Sequence, residues 1–216
     1  MRVGDTPILE IIVSQLHYYG FDNITFATNH HHEQIKEYFE DGRNFDVSIS
    51  YSREDKPLGT AGPISLLEDV DDDFFVMNCD ILTDLNFKEL MNCHKNQRNY
   101  ATVLSIKREE RYPYGVLKVN DGQVTNVVEK PKLSFDVYGG ISIFNPNVVA
   151  HFDRGKKKDL PDLLRELSQD GERIGAFSFG GIWVDIGNLQ NYEKALEIYV
   201  ANKYKIHNQW RTMNDK

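Results

Sequence analysis

Apolar and polar positions alternate along this chain with two different periods. Ile8, Leu9, Ile12, Val13 and Leu16 recur at helical spacing and predict an amphipathic helix stopped by Gly20. Ahead of it, Thr6 suits a cap and Pro7 the first helical position. A short buried strand is predicted over Asn23–Thr28, a helix over Glu33–Glu40 ending near Gly42, and an alternating strand over Val47–Tyr51. After a loop with Pro57 and Gly59, residues Thr60–Leu67 read as helical. Phe74–Met77 is apolar at every position, the pattern of a strand covered on both faces, and it runs into Asn78-Cys79-Asp80. Phe87–Asn96 reads as a helix and Ala101–Ile106 as a further apolar strand.

The second half changes character. Val116–Val119 and Val124–Val128 flank Asn120-Asp121-Gly122 and predict a hairpin. Val137–Phe144 is a strand, Leu160–Ser168 a helix followed by Gly171, and Ile174–Phe179 and Ile182–Asp185 are short strands. Leu189–Val200 closes the pattern with a helix, and a polar tail is expected from Lys203. The fold class predicted is α/β: a mostly parallel mixed sheet with helices on both faces and a small β-rich insertion.

Composition narrows the function classes. The 216 residues carry 25 Lys and Arg against 33 Asp and Glu, a formal charge of −8, which argues against a nucleic-acid grip. No apolar run approaches the roughly 20 residues that span a bilayer, and no secretory leader is read at the start. Cys79 and Cys93 make neither a disulfide framework nor a four-cysteine zinc site, so a cytoplasmic setting is expected.

Four segments could carry chemistry, and each has a plainer reading. Asp80, at the end of an apolar strand, is placed to ligate Mg²⁺ or merely to cap the turn near Thr83. Asp185, in Trp183-Val184-Asp185-Ile186-Gly187-Asn188, ends another strand and could share that metal, or cap the next helix. Lys130, held extended by Pro131, could clamp a phosphate while Glu129 meets a sugar hydroxyl; both could equally be exposed charges. The small residues of Leu58-Gly59-Thr60-Ala61-Gly62 could leave backbone amides open to a nucleobase, or simply start a helix. The run His30-His31-His32 is read as solvated, because adjacent loop histidines cannot all point one way.

Taken in order, the segments resemble the sugar-phosphate nucleotidyltransferases. The likeness rests on Val3-Gly4-Asp5-Thr6-Pro7-Ile8-Leu9, Leu58–Gly62, Asn78–Ile81, Tyr114-Gly115-Val116, Glu129-Lys130-Pro131, Gly139-Gly140-Ile141 and Trp183–Gly187. Within that family the chain looks most like the mannose- and glucose-1-phosphate enzymes. The resemblance implies a Rossmann-like catalytic domain over 1–202, a polar tail over 203–216, and a sugar-binding role for the β-rich insertion. It implies transfer of a nucleotidyl group from a nucleoside triphosphate to a sugar 1-phosphate. Asp80 and Asp185 would hold Mg²⁺, and Lys130 would contact the sugar phosphate. Glu129, Gly115 and Gly140 would line the sugar pocket, and Gly59, Thr60, Asn78 and Cys79 would border the nucleotide.

The family also carries a Gly-rich phosphate-binding strand-turn ahead of the Val-Gly-Asp part, and the sequence here begins at Met1-Arg2-Val3. Feeble activity and homo-oligomerisation or strand exchange are therefore expected of these residues. The alternatives are a nucleotide-sugar-binding or regulatory domain with impaired catalysis, and a nucleotide-sugar glycosyltransferase.

Overall fold

The computed structural model describes residues 1–68 and 70–208. A two-residue ladder, β1 (Arg2–Val3) with β2 (Thr6–Pro7), precedes α1 (Ile8–Tyr18). Next come β3 (Asn23–Thr28), α2 (His32–Phe39), β4 (Ser48–Arg53), β5 (Phe74–Met77), β6 (Ile81–Thr83) and α3 (Phe87–Gln97). The chain continues through β7 (Ala101–Arg111), β8 (Val116–Asn120), β9 (Gln123–Val128), β10 (Lys132–Phe144) and α4 (Leu160–Gln169). It finishes with β11 (Ile174–Phe179), β12 (Trp183–Asp185) and α5 (Leu189–Lys203).

The main sheet has the order β11-β7-β10-β5. β11 runs parallel to β7, whereas β10 is antiparallel to both β7 and β5. So β5, β7 and β11 point one way and β10 alone is reversed. Successive side chains of a strand point to opposite faces, and here that rule sorts the core. Phe75, Met77, Leu104, Ile106, Ile141 and Ile143 pack with the buried faces of α1, α3 and α5. Phe74, Val76, Ala101 and Phe144 pack with α4 on the other side. Helices thus cover both faces. β3 and β4 form a separate parallel pair closed by Val13 of α1 and Phe39 of α2.

The strands Asn23–Thr28, Phe74–Met77 and Ile174–Phe179 fall where the pattern puts them, whereas three expectations need correcting and one strand is additional. Thr6 does not cap α1: Pro7 is the N-cap without a side-chain bond, and Thr6 is paired with Val3. Thr60–Leu67 contains only a 3₁₀ turn over Gly62–Leu66. β6 was not anticipated. The tail does not leave the core at residue 203: Ile206 is fully buried, and Gln15 Nε2 donates to the carbonyls of Thr83 (2.7 Å) and Ile206 (2.9 Å). Residues 209–216 lie outside the described residues.

The second halves of β7 and the first half of β10 extend beyond the core as a ribbon, joined to the β8–β9 hairpin. Every residue from Lys107 to Lys130 is exposed. The hairpin turn Asp121-Gly122 has φ of +48° and +77°, the left-handed pair a two-residue type I′ turn requires.

One buried polar group makes the fold pH-sensitive. His94 is 1% exposed, with Nδ1 2.8 Å from Thr102 Oγ1 and Nε2 3.6 Å from Asp73 Oδ1. Burial pushes its pKa below the usual histidine value, against the opposing pull of Asp73. The unfolded chain therefore binds the proton better. The ring's contribution to stability is complete above the ordinary value of about 6.5 and is lost as pH falls from there through the lower folded pKa. Melting temperature is expected to drop on acidification below about pH 6.5, and less steeply in His94→Gln. Equal slopes in both proteins would assign the effect to other groups.

Candidate active site

β5 ends at Met77, and the chain then turns across the rim of the sheet. Asn78 N–H donates to Gly140 O (2.9 Å), and Ile186 N–H donates to Asp80 O (2.9 Å). β6 and β12 pair antiparallel with Asp185 opposite Ile81. These bonds clamp together two segments far apart in sequence and set Asp80 beside Asp185. Gly187 gives the scale: a Cβ there would lie 3.0 Å from Asp185 Oδ1 and 3.9 Å from Asp80 Oδ2. Both carboxylates flank one point, and the glycine leaves it clear.

Asp185 does not cap α5. The cap of α5 is Asn188, whose side chain accepts from Asn191 N–H at 2.9 Å. Thr83 closes its own turn by accepting from Leu85 N–H at 3.1 Å. Asp185 Oδ1 instead accepts from Gly187 N–H at 2.8 Å. Desolvation raises the Asp80 pKa above the usual carboxylate value, and the neighbouring Asp185 raises it further. Two crowded, partly desolvated carboxylates are a hard-oxygen donor set that fits a divalent cation such as Mg²⁺.

Gly140 sits at a bulge in β10, where the register shifts between Tyr138 and Ser142, with φ +72°. A Cβ there would run into the Ile81 side chain and approach Asn78 Nδ2 to 3.2 Å. Trp183 Nε1–H donates to Gly139 O at 2.8 Å, and the Arg108 guanidinium lies 5.0 Å above the Trp183 ring. The contacts among Asn78, Asp80, Gly140, Trp183, Asp185 and Gly187 thus form one continuous rim. Arg108 was not singled out from sequence, since it belongs to no local chemical pattern.

The other candidates fall into two further groups. A Cβ on Gly115 would lie 2.9 Å from Glu129 Oε2, and Lys130 Nζ is 3.9 Å from Glu129 Oε1, all on the exposed ribbon. Lys130 is not extended as Pro131 led us to expect: its φ is +46°, a left-handed value uncommon outside glycine. Gly59 and Thr60 pack against the loop before α4.

The chain matches the nucleotidyl transferase family over residues 1–202. It belongs to that family. It is 32% identical to a UTP–glucose-1-phosphate uridylyltransferase from Synechocystis, over 92% of this chain and 57% of that protein. It is 30% identical to the mannose-1-phosphate guanylyltransferase catalytic subunit beta of Xenopus tropicalis, over 94% of this chain and 59% of that one. The chain therefore spans under three fifths of the length of these curated relatives. Among solved structures, a Bacillus anthracis protein described as a glucose-1-phosphate thymidylyltransferase shares the fold, with TM-score 0.74 and 21% identity over 92% of this chain and 84% of that one. HddC from Yersinia pseudotuberculosis, complexed with GMP-PN, aligns with TM-score 0.70 and 20% identity over 92% and 88% of the two chains.

In this member of the nucleotidyl transferase family the small-residue loop is not a set of open amides. Thr60 N–H donates to Asp159 Oδ1 (3.2 Å), and the amides of Ala61 and Gly62 donate to Lys158 O (3.0 and 2.9 Å). Thr60 Oγ1 in turn accepts from Leu160 N–H (2.8 Å) at the start of α4. The Cys79 thiol is pushed up by desolvation and by Asp80, so it is a thiol and not a nucleophilic thiolate at neutral pH. Two shallow clefts, of about 410 and 270 Å³, lie away from the aspartates, beside His151 and His94 respectively.

Proposed function

We propose that this chain transfers a nucleotidyl group from a nucleoside triphosphate to a sugar 1-phosphate. A phosphate oxygen of the sugar phosphate attacks the α-phosphorus, the bond from that phosphorus to the β-phosphate oxygen breaks, and its electron pair leaves with pyrophosphate. The observation that carries this reading is the pairing of Asp80 with Asp185 at the end of β5. The names of the relatives support a sugar 1-phosphate as acceptor.

Asp80 and Asp185 would hold Mg²⁺, which supplies charge neutralisation for the triphosphate and lowers the cost of the departing pyrophosphate. The remaining residues position and select. Gly140 and Asn78 shape the floor of the rim, and Gly115 leaves room for Glu129 to reach a sugar hydroxyl. Lys130 meets the sugar phosphate, and its left-handed backbone is the kind of local strain found at ligand-gripping positions. Gly59 and Thr60 act on the nucleotide through the shape of their loop rather than through free amides. No covalent nucleophile is needed, because this class of reaction is driven by alignment and electrostatics. No helix among the described residues is long and apolar enough to cross a membrane, and a cytoplasmic site of action belongs to the same proposal.

The test is pyrophosphate release on mixing each nucleoside triphosphate with glucose or mannose 1-phosphate, and Lys130→Ala sharpens it. A charge-assisted contact to phosphate contributes about 1.5–3 kcal/mol, so sugar-phosphate affinity is expected to fall roughly ten- to a hundred-fold. Triphosphate affinity changes much less, with both affinities measured by thermal shift. Equal losses for both ligands would remove Lys130 from the acceptor site.

A further inference from the structure

A second group of ligating side chains lies at the other end of the main sheet. Phe144 of β10 is opposite Phe74, at the start of β5, and the chain passes from there into a 3₁₀ segment, Pro146–His151. Asp80 follows the far end of β5. His151 meets the C-terminal end of α4, which offers Glu166 and, one turn on, Asp170. The three ligand atoms, His151 Nδ1, Glu166 Oε1 and Asp170 Oδ2, lie within 4.8 Å of one another.

The two spacings from His151 match those of neighbouring ligands on one metal ion and are long for hydrogen bonds. His151 Nδ1 is 3.4 Å from Glu166 Oε1 and 3.6 Å from Asp170 Oδ2. A single ring N–H could reach both oxygens only as a shared, weak bond, since both distances exceed the usual range of about 2.7–3.2 Å. Zinc bonds of about 2.0–2.2 Å at tetrahedral angles separate neighbouring ligands by about 3.3–3.6 Å.

The surroundings hold these side chains in place. Lys158 Nζ donates to Glu166 Oε2 at 2.6 Å and to His151 O at 2.7 Å, so one ammonium fixes two of the three ligand residues and leaves Oε1 available. Lys158 offsets one of the two carboxylate charges, leaving a net negative donor set. The other nearby lysines are engaged elsewhere, Lys156 with Asp153 (2.8 Å) and Lys157 with Asp159 (3.9 Å). His151, Lys156, Lys157, Lys158 and Glu166 line the cleft of about 410 Å³, which leaves room for a solvent molecule or anion as fourth ligand.

We propose that His151, Glu166 and Asp170 form a binding site for a divalent transition metal, Zn²⁺ by geometry, separate from the Asp80–Asp185 rim. Bound metal would tie the end of α4 to the segment after β10.

The experiment titrates the chelator-stripped chain with Zn²⁺ by calorimetry and with Co²⁺ by visible absorption, where four-coordinate Co²⁺ absorbs strongly. Wild type is expected to bind one ion at this site and to melt at a higher temperature when it is filled. His151→Ala and Asp170→Asn each lower that affinity about tenfold or more; Asp170→Asn leaves the Lys158–Glu166 pair intact and so guards against a folding artefact. A His30→Ala/His31→Ala/His32→Ala protein and an Asp80→Asn/Asp185→Asn protein keep the site. The proposal is overturned if wild type gives neither binding heat nor a Co²⁺ band. It is equally overturned if His151→Ala and Asp170→Asn bind as wild type does, with the ion lost instead from either control protein. A His151 ring held between the two carboxylates without metal would be the reading left.

Discussion

Replacing Asp80 by Asn is expected to abolish Mg²⁺-dependent pyrophosphate release and, in the same protein, to raise the melting temperature of the metal-free chain. The two effects share one cause. Asp80 is partly desolvated beside Asp185, and both influences push its pKa up. A carboxyl whose folded pKa lies above its unfolded value contributes most to stability at low pH. That contribution is lost as pH rises through the folded pKa, so at neutral pH the free carboxylate pair is a net cost. The amide removes that charge and its repulsion. It also removes a hard anionic ligand, and charge stabilisation by a bound metal is worth several kcal/mol, with each about 1.4 kcal/mol a factor of ten in rate. A loss of at least about a hundredfold follows. Melting curves in EDTA and in Mg²⁺ with triphosphate give the second readout: wild type gains from the ligands and Asp80→Asn does not. Turnover within a few-fold of wild type would take Asp80 out of the metal site. A metal-free variant less stable than wild type would show that the carboxylate serves a structural bond instead.

That a strand-end aspartate is a ligand candidate is legible without coordinates, because Phe74–Met77 is apolar on both faces and the chain must turn where polar residues begin. The partnership of Asp80 with Asp185 follows only from β6 pairing with β12. β6 itself is three residues long, and Ile81-Leu82-Thr83 has no local period; its strand character comes from its distant partner. Thr60 shows the same limit. Its local setting of small residues reads as open amides, yet those amides are taken by Lys158 and Asp159 from another part of the chain. Thr6 carries a good cap signal that the ladder with Val3 overrides. Pro131 biases Lys130 toward extended backbone, and the tight turn from β9 into β10 forces the opposite sign of φ. The His151 group was invisible for a simpler reason. A single histidine and two carboxylates at helical spacing carry no metal signature until α4 is folded against the 3₁₀ segment.

The 216-residue chain by itself is expected to self-associate and to turn over feebly, for a reason visible in two strands. β5 pairs with β10 on one side, and β3 pairs with β4 on one side; among the described residues neither has a strand on its other edge. The two come near one another, since Phe21, just before β3, meets Phe75 of β5 edge-on with ring centroids 4.9 Å apart. β5 is apolar throughout and only half-buried. An open, apolar strand edge presents unpaired N–H and C=O groups and is a template for another chain's strand. Light scattering after size exclusion is expected to show mass growing with concentration. Ala27→Lys, which places a charge on the exposed face of β3, is expected to reduce that growth. Supplying an apolar strand that ends in a Gly-rich turn, as an extension ahead of Arg2, should return a single species with a higher melting temperature. Its turn amides would also meet the β- and γ-phosphates as they leave, so turnover should rise with stability. A monodisperse monomer of residues 1–216 with full pyrophosphate-forming turnover would contradict both halves of this expectation. The triphosphate would then have to be held by groups already present, and Arg108, stacked on Trp183 at the rim, would be the first to replace.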